Sequence, residues 1–265
     1  MVAALGACLL LTGCSPLQTA DAMRRDFMAQ TLVKQAAARA AAGQADGRAV
    51  QLAAWATRLA PENLPVLRLA TTVFVRGQAW DRALEGLLAQ QRKTGVADAY
   101  QLGACYVYLG QEERGAALLD ALVGQERSRF ATHQISGEAL AVVLNEVGYT
   151  YADAGVRLEE AVELTRAAVS LAPGNAFILD SLGWAYYRVG RDDAAAFALE
   201  QALRLQRRPD AVIYYHAGVV HSRQGKVLLA RAELRRALSL QGDDFPEAAE
   251  ALRRMHWQLP PPETV

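Results

Sequence analysis

From about residue 139 to 242, small, bulky apolar and polar positions recur in a repeat of about 34 residues. Leu182, Gly183, Tyr186, Gly190, Ala195 and Ala202 set the template: a bulky apolar residue, a small anchor, an aromatic three later, a glycine seven later, then two alanines. Val147, Gly148, Tyr151, Gly155, Ala161 and Ala168 repeat it with one extra residue before Ala161. Ala217, Gly218, His221, Gly225, Ala230 and Ala237 repeat it with none, and the anchor glycines stand 35 apart. Intervals of three, four and seven put these residues on one face of a helix. Small residues at the anchor and in the following helix let two backbones approach closely. The glycine seven on stops the first helix, because it accepts a left-handed conformation without a side-chain penalty. Each repeat is therefore helix, tight turn, helix.

The template fades toward the N-terminus. Leu102, Gly103, Tyr106, Gly110, Ala116 and Leu119 fit it, and Leu69, Ala70, Val73, Gly77, Ala83 and Leu87 fit it more loosely. An Ala-rich helix over 24–43 and a second over 48–59 read as an atypical first repeat. Ala60-Pro61-Glu62-Asn63 and Ala172-Pro173-Gly174-Asn175 are equivalent joints, where proline cannot continue a helix and asparagine opens the next turn. These signals predict three repeats over 25–125 and an irregular, polar connection over 126–138. Three further repeats over 139–242, a capping helix over 243–257 and a tail over 258–265 complete the prediction.

Composition narrows the function. Among 265 residues, 52% are hydrophobic and only 7% aromatic, which suits close helix packing. Lys and Arg number 28 against 28 Asp and Glu, so no basic balance speaks for nucleic acid. Three cysteines, Cys8, Cys14 and Cys105, are too few for a disulfide framework, and Cys105 reads as a small buried apolar residue. His216 and His221 are five apart, on different sides of a helix and without a carboxylate at metal-ligand spacing. His221 holds the aromatic packing position, and His133 and His256 have no partner in sequence. No phosphate loop, zinc-protease pair or nucleophile elbow is present, and Ser181 beside Asp180 without a positioned His is not a triad. The expectation is a non-enzyme with no cofactor, no metal and no small-molecule substrate.

Residues 1–13 are uncharged and apolar, too short to span a bilayer but suited to a secretory signal. Leu11-Thr12-Gly13-Cys14 resembles the lipobox of bacterial lipoproteins, although no Lys or Arg follows Met1. The resemblance implies cleavage before Cys14 and acylation of its thiol, and the short polar stretch with a proline that follows reads as a linker over 14–24. Ser15 rather than Asp after the cysteine implies the outer membrane, facing the periplasm.

Leu182-Gly183, Tyr186, Ala195, Ala202 and their counterparts carry the signature of the tetratricopeptide repeat (TPR). The resemblance implies an all-α, right-handed superhelical solenoid of about six helix-turn-helix repeats with a C-terminal capping helix. The runs Asn145 to Asp153, Leu158 to Ala161 and Leu179 to Trp184 further resemble proteobacterial TPR lipoproteins that scaffold periplasmic proteases and cell-wall hydrolases. First helices of such repeats line a concave groove. Carried over, the groove positions are Tyr100 and Tyr108; Asn145, Tyr149 and Asp153; Asp180, Trp184, Tyr187 and Arg188; and Tyr215, Val219, Ser222 and Arg223. Aromatics supply contact area and arginine offers a fork for a carboxylate, so the resemblance implies a protein guest. The expected function is a lipid-anchored envelope scaffold holding a protein partner. Two alternatives are an adaptor that activates or tethers a periplasmic protease or cell-wall hydrolase, and a glycan-binding protein.

Overall fold

The structure is a computed structural model that describes residues 16–241 and 245–256. The signal segment 1–13, Cys14, Trp257 and the tail 258–265 lie outside the described residues. Thirteen helices and no strands occur among the described residues. They are α1 (Pro16–Ala41), α2 (Gly47–Leu59), α3 (Leu64–Arg76), α4 (Trp80–Thr94), α5 (Ala99–Tyr108), α6 (Glu112–Ala131) and α7 (Gly137–Ala154). The remainder are α8 (Leu158–Leu171), α9 (Ala176–Arg188), α10 (Asp192–Leu205), α11 (Ala211–Arg223), α12 (Val227–Gln241) and α13 (Pro246–His256). The chain divides into two compact units, Met1–Asp98 and Ala99–Val265.

Local chemistry explains the helix boundaries. Asn63 and Asn175, the asparagines of the two proline joints, are N-caps: Asn63 accepts from the Val66 amide at 3.1 Å and Asn175 from the Phe177 amide at 3.0 Å. Asp210 does the same for α11, accepting from the Val212 amide at 2.9 Å. Such side chains satisfy amides that the first helical turn leaves without partners. Gly155 and Gly190 stop α7 and α9 with φ of +79° and +80°, as the spacing predicts. The N-terminal unit departs from this rule. There Gln78 takes the left-handed conformation with φ +54°, while a side chain on Gly77 would stand 2.6 Å from the Val50 methyl group.

Two segments differ from the sequence reading. The stretch 14–24 is helical from Pro16, because proline is tolerated in the first turn and the residues after it are good helix formers. The polar stretch 126–138 is helical as far as Ala131, and α7 starts at Gly137. Polarity there reflects a solvated helix: Val123 and Glu126 are buried while Gln125, Arg127 and Ser128 are exposed. The connection shrinks to 132–136, turned by His133 at φ +57°.

In the N-terminal unit, α1 pairs with α2 and α3 with α4, and α1 also lies against α3. Ala29, Val33 and Ala36 of α1 and Ala49, Ala53 and Ala56 of α2 are buried. Here the small position has changed helices: Gly86 of α4 faces Thr71 of α3.

In the C-terminal unit, α5 pairs with α6, α7 with α8, α9 with α10 and α11 with α12. The first helices of these pairs lie side by side, with α13 against α12 and α11. Anchor glycines set the separation within each pair. A β-carbon on Gly103, Gly148, Gly183 or Gly218 would lie 2.6, 2.8, 2.5 or 2.7 Å from Leu119, Thr165, Leu199 or Leu234, closer than carbon atoms can approach. The aromatic three after the anchor fills the adjoining core. Tyr151 is fully buried and its hydroxyl donates to Asp120 at 3.0 Å, while Asp120 also accepts from Arg157 at 2.7 Å. His221 occupies the same position in α11, buried, with its Nδ1 2.7 Å from the Glu233 carboxylate.

Candidate functional site

Because first helices are neighbours, residues one repeat apart meet on the face formed by α5, α7, α9 and α11. The groove residues expected from sequence all lie on these helices, and the structure gives them distinct work. Tyr100 bonds Thr150 at 3.2 Å, and Tyr108 donates to Asp153 at 3.0 Å, joining α5 to α7. Burial, with Asp153 and Tyr149 nearby, holds the Tyr108 hydroxyl well above the ordinary tyrosine range.

The two arginines expected to fork a guest carboxylate are bonded within the chain instead. Arg188 at the end of α9 donates to the Asp153 carbonyl at the end of α7, at 2.6 Å. One repeat later, Arg223 at the end of α11 donates to the Tyr187 carbonyl at 2.6 Å and pairs with Asp192. In the N-terminal unit, Arg76 donates to the Ala40 carbonyl at 3.3 Å in the same way. The last carbonyls of a helix have no helical partner and carry its negative end, so a guanidinium one repeat on is a favourable cap. These arginines are staples between successive first helices.

Asp180 is likewise withdrawn from solvent. It is buried and bonds His216 Nδ1 at 2.9 and 3.0 Å, joining α9 to α11. A carboxylate buried without such a partner would cost several kcal/mol. Residues 180 and 216 stand one repeat plus one position apart, and only the stacking of hairpins makes the pairing visible.

Above this pair sits Trp184, with 7% of its surface exposed. His216 stacks on it at 4.2 Å between centroids and Tyr187 at 5.0 Å, with Tyr215 tilted at 6.2 Å. Arg223 covers the Tyr187 ring at 3.7 Å. No open indole face is therefore left on which a sugar ring could stack. Trp184 still has an unspent group: its buried Nε1–H has no hydrogen-bond partner among the described residues, and neither does Asn145 Oδ1. The hydroxyls of Tyr149, Tyr187 and Tyr215 also bond no other described residue. Burial, then Asp153 and Asp180, raises the Tyr149 pKa far above the usual range, so it remains a neutral donor. Ser222 lies half-buried farther along α11.

Of these residues, Trp184, Tyr187, Tyr215 and Ser222 border a cleft of about 490 Å³ between α9, α11 and α13. Trp184, Tyr187, Tyr215 and Val219 form one side, and Glu247, Ala251 and Met255 of α13 form the other. The contribution of α13 escaped the sequence reading, since the final helix lies outside the repeat template. A second cleft in the N-terminal unit, about 970 Å³, has a mixed rim that includes the Lys93–Glu62 ion pair. No buried side-chain polar atom lining it lacks a partner among the described residues. No cluster of three potential metal ligands occurs among the described residues, and no described helix is long and apolar enough to cross a membrane.

Comparison with known proteins agrees with this fold. Residues 178–209 match the tetratricopeptide repeat family. A TPR repeat-containing protein of Pseudomonas aeruginosa is 46% identical over 78 residues, 29% of this chain and 13% of that protein. The match thus spans well under two thirds of the relative. A solved tetratricopeptide repeat protein of Parabacteroides merdae aligns with a TM-score of 0.63 over 95% of this chain and 90% of its own, at 14% identity. At that identity the likeness is one of fold.

Proposed function

We propose that the chain is a non-catalytic scaffold whose C-terminal unit holds an extended stretch of a partner protein along the face of α7, α9 and α11. The observation that carries this reading is the buried, unpartnered Nε1–H of Trp184, whose ring borders a cleft lined by both apolar and charged side chains. A buried polar group without a partner costs about 1–3 kcal/mol, and a guest that supplies the missing acceptor recovers it. An extended polypeptide offers acceptors and donors at regular intervals and apolar side chains for the cleft. The covered face of Trp184 speaks against glycan stacking.

The lipobox at Cys14 supports a lipid anchor facing the periplasm, and with it a partner in the bacterial envelope. A periplasmic protease or cell-wall hydrolase is the partner class that the narrower resemblance suggests. Trp184→Phe with Tyr149→Phe tests the groove, because it removes two donors and keeps both sites aromatic. Partner capture from cross-linked envelopes falls in this variant while helicity is unchanged; equal capture would refute the groove. Radiolabelled palmitate enters the wild-type chain and not Cys14→Ser, whereas equal labelling would refute the anchor.

A further inference from the structure

We infer that the cleft beside α13 receives a lysine or arginine side chain from an internal, extended stretch of a partner polypeptide. This rests on the peptide-binding reading above and reverses the guest charge that the two arginines alone suggest. Four charged residues border the cleft: Arg223, Glu247, Glu250 and Arg254. Arg223 is committed to Asp192 and to the Tyr187 carbonyl. Glu250 accepts from Arg254 Nε at 3.0 Å and also takes Arg253. Glu247 alone among the four forms no ion pair or hydrogen bond with any described residue. It lines the cleft together with Tyr215, whose pKa is raised first by burial and next by the Glu247 charge.

Across the cleft and the rest of the face acidic and basic side chains nearly balance in number, but the arginines are already engaged. Asp153 and the buried Asp180 stand against Arg188, which is held by the Asp153 carbonyl. A guest carboxylate would find both arginine forks occupied and would face Glu247, which the first turn of α13 favours but no side chain pairs. A cationic side chain finds Val219, Ala251 and Met255 for its methylene stem and the Tyr215 ring and Glu247 carboxylate for its head. Trp184 lines the same cleft, and its buried Nε1–H lacks the acceptor that a carbonyl of the guest backbone would supply. A chain terminus is not required, because nothing in the cleft is built to clamp one.

The test uses the full-length, ¹⁵N-labelled chain, whose four tryptophans give separable indole signals. Trp184→Phe identifies the Trp184 signal. The probes are three blocked heptapeptides of glycine, serine and alanine with a central lysine, leucine or glutamate. The lysine peptide shifts the Trp184 indole signal and binds about two- to fivefold more tightly than the leucine peptide, the size of one exposed ion pair. The glutamate peptide binds most weakly. Glu247→Gln, an exposed change on α13, levels lysine and leucine. If leucine binds as tightly as lysine, or the lysine preference survives Glu247→Gln, the basic-side-chain inference is wrong while the groove stands. If no peptide moves the Trp184 signal, the peptide-binding reading falls with it.

Discussion

Gly183→Ala tests the geometry on which the binding face depends. The added methyl would stand 2.5 Å from Leu199 Cγ and 3.1 and 3.2 Å from its two methyl carbons. Leu199 is fully buried, so it cannot swing toward solvent to make room. Overpacking of this kind costs about 1–3 kcal/mol, and replacing a helical glycine by alanine returns about 1 kcal/mol. The net expectation is a loss of up to about 2 kcal/mol, or up to about 8 °C in Tm for a unit of this size. Leu199→Ala alone opens a cavity and costs about 2–5 kcal/mol. In Gly183→Ala/Leu199→Ala the new methyl occupies part of that space, so the double variant loses less than the sum of the singles. The N-terminal unit already uses a reversed pairing of this kind, with Thr71 facing Gly86. Urea unfolding followed by circular dichroism measures all three variants. A Gly183→Ala chain more stable than wild type would refute the close-approach account, since propensity would then outweigh contact.

Three further outcomes follow from the face itself. Trp184→Ala lowers stability by about 3–5 kcal/mol in thermal unfolding, since it removes the ring between His216 and Tyr187, and a neutral result would contradict its packing role. Arg188→Met costs about 1–3 kcal/mol through the lost helix-end staple, whereas Arg191→Ala, in an exposed pair with Glu159, stays within about 1 kcal/mol; equal effects in urea unfolding would contradict the distinction. The raised pKa values of Tyr108, Tyr149 and Tyr215 mean that the folded state keeps protons the unfolded chain releases near pH 10. Their contribution is complete below that pH and declines as pH rises toward the folded values. The urea midpoint therefore falls above about pH 10, and tyrosinate absorbance of the folded chain lags that of free tyrosine; coincident titrations would contradict the burial of these hydroxyls.

Much of this architecture is legible in the spacing of small and aromatic residues. Gly103, Gly148, Gly183 and Gly218 stand where a β-carbon cannot fit, and Asn63 and Asn175 cap the helices that their joints foretell. Legibility ends where the same physical need is met by other residues. Gly86 replaces an anchor on the preceding helix, and Gln78 rather than Gly77 turns left-handed. Hydrophobic pattern also misjudges solvated helix, so the linker and the polar connection read as irregular although their residues favour helix. The site shows the sharper limit. Position within a repeat places Arg188, Arg223 and Asp180 on the shared face, but spacing along one helix cannot reveal a partner 35 or 36 residues away. That offset, one repeat or one repeat plus one, is the signal by which His216 could be paired with Asp180 from sequence.

The central claim is that the face of α7, α9 and α11 holds a polypeptide. The most direct measurement places a photoreactive benzoylphenylalanine at Val219, in the cleft, and in a separate chain at Arg235, exposed on α12. After irradiation in intact envelopes, the account predicts a discrete protein adduct from Val219 that Trp184→Phe/Tyr149→Phe diminishes, with none of that size from Arg235. An adduct from Arg235 alone, or one from Val219 indifferent to the double variant, would contradict it.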